Sequence, residues 1–224
     1  MSYSAIVIGG TGATGKQLIK LLLKNEKFTS VTSIGRRPVL DGAKNDKLID
    51  VVVDSMADLS STQERWNKND VFFNCIGTTR QKAGGAKEFI DIELGISREA
   101  ARMASSSNIP HAVLISASGA NHKTWAVEWL HPLLYTRTMG QKEQTIISEF
   151  HFETVSVFKP GMLIRLMDDK EWYDGIIEKL GVGLRVDVLA RAMMKDVENI
   201  RSSGKGSETY FHIGNSAIIE LAQV

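Results

Sequence analysis

The stretch that most constrains this chain is Gly9-Gly10-Thr11-Gly12-Ala13-Thr14-Gly15. It follows a short apolar run, Tyr3 to Ile8, and leads into a segment whose Leu18, Leu21 and Leu22 recur at helical spacing. Glycines between strand and helix let the backbone bend sharply, let a bulky anion approach the main chain, and let the two elements pack closely. The helix start also offers N–H groups without intrahelical partners and a partial positive charge, the arrangement that holds a pyrophosphate. A plain tight turn is the alternative reading. The strand before the glycines and the helix after them favour dinucleotide binding, with Gly9, Thr11, Gly12, Ala13, Thr14 and Gly15 as the cradle.

The alternation continues along the chain. Residues 3–8, 30–34, 48–53, 70–76, 111–116, 153–159 and 209–213 read as strands, the earlier ones nearly continuous in apolar residues, as buried parallel strands are. Residues 14–25 and 87–106 read as helices, the second through Phe89, Ile92, Ile96, Ala100 and Met103. Strands that alternate with helices imply an α/β, doubly wound parallel sheet of Rossmann type. No Pro/Ser linker or repeat divides the chain, so residues 1–224 are expected to form one domain with a small C-terminal region on the substrate side. There, Asp187 is expected to cap a helix reaching about Asn199, and Asn215 a short last one.

Composition excludes other classes. Hydrophobic residues make up 43% of 224, enough for a sizeable core and too many for a disordered chain. Lys and Arg number 27 against 26 Asp and Glu, so neither a nucleic acid nor an anionic membrane is expected as partner. No apolar run reaches the roughly 18 residues of a membrane span. The start lacks the basic region of a signal peptide, and the single Cys75 excludes an intrachain disulfide. A cytoplasmic protein is expected.

The second strand ends in Gly35-Arg36-Arg37-Pro38. An NAD-preferring site carries an acid there for the ribose 2′-hydroxyl. Two guanidiniums instead suit a 2′-phosphate, so Arg36 and Arg37 point to NADP(H), against the plainer reading of two solvated surface arginines. Asp54, after the third strand, either accepts from the adenine amino group or closes a turn. Gly77, after the fourth, lets backbone approach a ligand at the carboxyl edge of the sheet. Cys75 reads as a packed thiol.

These features together resemble an atypical short-chain dehydrogenase/reductase, in particular the group named for the Tat-interacting oxidoreductase-like protein. The likeness rests on residues 9–15, Ile-Gly-Arg-Arg at 34–37, Gly-Thr-Thr-Arg-Gln-Lys-Ala-Gly at 77–84, Leu-Ile-Ser-Ala-Ser-Gly-Ala at 114–120 and Ser-Val-Phe-Lys-Pro-Gly at 156–161. It implies an NADPH-binding Rossmann fold and reduction of a small carbonyl. By the family pattern, Tyr135 on a helix over 135–148 donates the proton and Ser116, or else Ser118, orients the carbonyl. Ile76 and Gly77 flank the ribose, while Pro160, Gly161 and Leu163 face the nicotinamide.

The chain departs from that pattern twice. Met139 stands where Tyr-x-x-x-Lys requires a lysine. Lys142 is the nearest substitute, but seven residues put it about 10 Å along the helix axis, against about 6 Å for the family spacing. The segment 121–134 is also longer than the group usually has, and Trp125 and Trp129 within it form either a lid or partner surface, or a small satellite core.

Other chemistries lack their signatures. The five histidines show no metal-ligand spacing, so no metal is expected. Ser116 has no Gly-x-Ser-x-Gly context, and Gly15-Lys16-Gln17 lacks the hydroxyl of a nucleotide triphosphatase. The expectation is an NADP(H)-dependent oxidoreductase on a small carbonyl or alcohol. A catalytically weak NADP(H) sensor with a protein partner is the alternative, and a nucleotide-sugar epimerase is less favoured.

Overall fold

The computed structural model describes residues 2–126, 131–166, 183–204 and 208–223. Seven strands form one sheet: β1 Tyr3–Ile8, β2 Phe28–Gly35, β3 Leu48–Val52, β4 Val71–Asn74, β5 His111–Ile115, β6 Thr154–Lys159 and β9 Glu208–Ile213. Their order is β3-β2-β1-β4-β5-β6-β9, and every pairing is parallel. All seven predicted strands form, within two residues of their expected bounds. A second sheet was not foreseen: β7 Leu163–Ile164 pairs with β8 Leu184–Arg185. Two-residue strands are too short to leave a periodic signal.

Because side chains alternate across a strand, each strand feeds two cores. Ala5, Val7, Phe73 and Val113 face one layer, where α1 (Ala13–Lys24) brings Leu18, Ile19 and Leu22. α7 (Val186–Ser203) and α8 (Asn215–Gln223) complete that layer with Leu189, Met193 and Ile218. Ile6, Ile8, Phe72 and Leu114 face the other. There α2 (Gln63–Trp66) adds Trp66, α5 (Ser97–Ser106) adds Ala100 and Met103, and α6 (His131–Ser148) adds Ile146. The remaining helices, α3 (Arg80–Ala83) and α4 (Ala86–Ile90), follow β4.

Three expectations are corrected. The stretch 87–106 is not one α-helix: a π turn, Asp91–Ile96, joins α4 to α5. Its buried stripe therefore runs through Phe89, Glu93 and Ser97, while Ile92 and Ile96 stay half-buried. Asp187 does not cap its helix. It lies in the first turn and grips Arg185 at 2.9 and 3.0 Å. Trp125 is 71% exposed outside any helix, so it fills no satellite core, while Trp129 lies outside the described residues.

Candidate functional site

Parallel strands bring all their carboxyl ends to one edge, and the chain reverses its direction of growth there, between β1 and β4. Such a switch point opens the crevice in which this architecture binds ligands. The glycine loop leaves β1 at that point. Gly9 has φ +83°, and a Cβ on it would lie 2.6 Å from the carbonyl carbon and oxygen of Cys75. A Cβ on Gly15 would strike the carbonyl oxygen of Gly9. Both positions exclude side chains, so Gly9 lies close against the Cys75 backbone just past β4 and the first turn of α1 closes on Gly9. Gly12 precedes α1, whose first turn carries no acid and no side-chain cap among the described residues. Thr11 and Gly12 are exposed, Ala13 half-buried, Thr14 and Gly15 buried. A glycine cradle beneath an uncovered helix start fits a dinucleotide pyrophosphate.

On one side of this loop, Arg36 and Arg37 are exposed just past the end of β2, and Asp54 is exposed just past β3. On the other side, Ile76 and Gly77 follow β4, and Gly77 is exposed. Pro160 is buried after β6, Leu163 begins β7, and the N–H of Gly161 donates to Asn215 Oδ1 at 2.9 Å. Cys75 is packed as expected, its thiol pushed up to about 12 by burial.

Helix α6 presents Tyr135, Met139 and Lys142 toward this region. Tyr135 packs on Phe89, with ring centroids 5.9 Å apart. Burial first, and the charge of Glu93 second, push its phenol up to about 12. Met139 is buried at 3% exposure. Lys142 is fully buried. Its Nζ lies 2.9 Å from the carbonyl oxygen of Ile76 and 3.2 Å from Glu93 Oε2. The other Glu93 oxygen accepts from the N–H of Thr78 at 2.6 Å. Lys142 thus pairs with a carboxylate and a loop carbonyl, and the Tyr135 phenol is raised, with burial and Glu93 as the causes.

Ser116 sits at the end of β5, buried, with its N–H donating to Phe158 O at 2.7 Å. Its hydroxyl donates to Glu143 Oε1, and Lys159 Nζ holds the other Glu143 oxygen at 2.9 Å and the carbonyl of Ala120 at 3.2 Å. Ser118 is exposed. Glu143 and Lys159 also line a cleft of about 420 Å³ with Phe211 and Ile213, which shares no residue with the glycine loop.

Sequence reasoning missed Glu93, Glu143 and Lys159 as partners. A signal for Glu93 was present: it falls four residues after Phe89, an acid on the inward face of an amphipathic stretch.

Residues 9–155 match the NAD(P)H-binding family. A Meyerozyma guilliermondii protein named FMP52, mitochondrial, is 31% identical over 161 residues. That alignment takes in 71% of this chain and 65% of the relative, so the chain matches just under two thirds of it. The Rattus norvegicus protein HTATIP2 is 29% identical over 98% of this chain and 89% of its own. Among solved structures, the oxidoreductase ylbE from Lactococcus lactis superposes with TM-score 0.67 at 15% identity, covering 98% of this chain and 95% of that one. A Bacillus cereus UDP-glucuronic acid 4-epimerase in complex with NAD gives 0.66 at 13% identity, covering 98% and 90%. At such identities the structural likeness shows the fold alone.

Proposed function

The chain belongs to the NAD(P)H-binding family, and from that premise we propose that it is an NADP(H)-dependent oxidoreductase reducing a small carbonyl compound. The observation that carries the cofactor choice is the exposed Arg36–Arg37 pair at the end of β2, beside a phosphate loop with no acid in its helix start. Guanidiniums bind a 2′-phosphate in paired, charge-assisted hydrogen bonds, whereas a ribose hydroxyl gains little from them. When bound, the nicotinamide supplies the hydride.

The chain's own residues supply the rest. Tyr135 keeps its proton through the neutral range, because burial and Glu93 both disfavour the phenolate. It is the donor to the developing alkoxide. Ser116 accepts instead of donating while Glu143 holds its proton, so the two hydroxyls offer a ligand one donor and one acceptor. Such a pair matches the alcohol, which can both accept and donate, while a carbonyl oxygen takes only the Tyr135 donor.

A second reading is favoured by one observation. Met139 is buried where the resemblance requires an ammonium, and Lys142, the nearest lysine on that helix, pairs with Glu93. On that reading the chain senses NADP(H) and reports to a protein partner with little turnover. Calorimetric titration with NADPH and NADH, on the native chain and on Arg36→Ala/Arg37→Ala, tests the cofactor assignment. NADPH affinity should fall on the order of 100-fold, about 3 kcal/mol, with NADH nearly unchanged. Equal weakening of both would sink the 2′-phosphate assignment. NADPH oxidation against aldehydes, ketones and quinones then separates the two readings: turnover supports the reductase, binding without turnover the sensor.

A further inference from the structure

The loop after β4 hangs between two helices on one buried ion pair. Lys142 of α6 donates to the carbonyl of Ile76, Glu93 of the π turn accepts from the N–H of Thr78, and the two side chains meet at 3.2 Å. Three successive residues, Ile76, Gly77 and Thr78, are thus fixed at both ends by opposite charges that water does not reach.

Stability does not account for this arrangement. Desolvating two charges costs about as much as their attraction returns, and a well-packed apolar pair of the same volume would hold the helices at least as firmly. The π turn points the same way. It inserts an extra residue into the helix at the cost of regular geometry, and such turns recur at functional sites. Here it carries Glu93 inward on the stripe with Phe89 and Ser97.

The sheet order says what the loop faces. β4 adjoins β1 on the side away from β2, so the loop after β4 and the arginines after β2 flank the phosphate loop from opposite sides. A dinucleotide with its 2′-phosphate at Arg36 and Arg37 and its pyrophosphate at the glycines would turn its nicotinamide half toward β4. Gly9 rests directly on the Cys75 backbone, immediately before Ile76, so a shift of this loop would be felt at the phosphate cradle's edge. Gly77 at the loop's centre is exposed.

We propose that Glu93 and Lys142 are positioning residues that hold the Ile76–Thr78 backbone in place for the nicotinamide ribose. The proposal rests on the NADP(H) reading above. It assigns to a buried salt bridge, through backbone, a task that the substitution at Met139 leaves unfilled.

The test compares two ligands. NADPH carries both halves of the dinucleotide, while adenosine 2′,5′-bisphosphate carries only the half expected at β2. In the double variant Glu93→Gln/Lys142→Met both charges leave together, so no uncompensated ion is buried and the fold is kept. By calorimetry, NADPH affinity should drop about tenfold or more, while the bisphosphate should change by less than about twofold. Should that variant unfold, Glu93→Gln/Lys142→Gln, which also removes both charges and keeps a polar acceptor for Thr78, reads the same ratio at smaller size. Equal weakening of both ligands, or of neither, overturns the clamp. A native chain that binds neither ligand overturns the NADP(H) reading and the clamp with it, so the two failures are told apart by the native titration.

Discussion

The two edges of the main sheet are built from the same strands and hold polar groups in opposite ways. At the amino edge the polar contacts tie strand starts to nearby helix ends. Asp70 accepts from Ser4 N and Oγ at 2.8 and 2.9 Å, Arg201 pairs with Asp70 at 3.2 Å and lies over the Tyr3 ring, and His111 meets Ser156 at 3.0 Å. At the carboxyl edge both partners of each ion pair are shielded from water, Glu93 with Lys142 and Glu143 with Lys159, whereas at the amino edge the buried Glu198 meets the exposed Lys27. An edge whose only task is to close the fold has no need of ion pairs shielded on both sides, which cost desolvation for little net stability. The difference teaches where to look for function. Damage at the amino edge should read out as stability alone, and damage at the carboxyl edge as ligand binding.

The largest effect should come where the carboxyl edge is tightest. A methyl group on Gly15 would occupy the space of the Gly9 carbonyl oxygen and come within 3.0 Å of Gly10 Cα, with only backbone around it to yield. Gly15→Ala should cost about 4 kcal/mol or more and leave no measurable cofactor affinity in whatever fraction folds. Denaturant unfolding with and without NADPH measures both losses. An Ala variant that keeps native affinity would break the claim that the loop's close approach to the main chain makes the site.

Next is His111 at the amino edge. Burial lowers its pKa to about 4, with Asp196 opposing and Arg201 assisting. A histidine depressed in the folded state stabilises fully above its unfolded pKa, near 6.5, and that contribution is lost as pH falls through the folded value. Between pH 7 and pH 4 the unfolding free energy should therefore drop by roughly 3 kcal/mol from this residue. His111→Gln, which can keep a polar atom toward Ser156, should remove that part of the acid slope. NADPH affinity at pH 7 should not change. A variant with the native slope would show that the acid sensitivity lies elsewhere.

How far the sequence foretold the molecule divides along the same line. Strands and the glycine loop were legible because each is local: a short, nearly continuous apolar run rich in Val and Ile, and a turn that only glycine fills. The inward order of Phe89, Glu93 and Ser97 was not, because a π turn shifts the helical register and the α period then selects Ile92 and Ile96. Lys142 was named only as the nearest substitute for a missing lysine; its partner Glu93 is 49 residues away in sequence, and spacing along one helix cannot reveal it. Glu143 and Lys159 stayed hidden for the same reason. Charges that pair across elements are visible only once the elements are packed.

The smallest expected effect tests the comparison from its quiet side. Arg201 and Asp70 are both partly solvent-exposed, with side-chain exposures of 26% and 35%, so water screens much of their attraction. Asp70→Asn keeps an oxygen for Ser4 and loses the ion pair. The expected cost is about 1 kcal/mol, a fall of roughly 2–4 °C in Tm for a chain of this size. Asp70 precedes β4 and Ile76 follows it, so one four-residue strand joins the variant to the proposed clamp. If the two edges are independent, NADPH affinity stays at the native value despite that short connection. If affinity falls along with Tm, β4 transmits strain from one edge to the other. The division of labour between the edges would then have to be given up, because the loop would be positioned by the whole strand and not by Glu93 and Lys142.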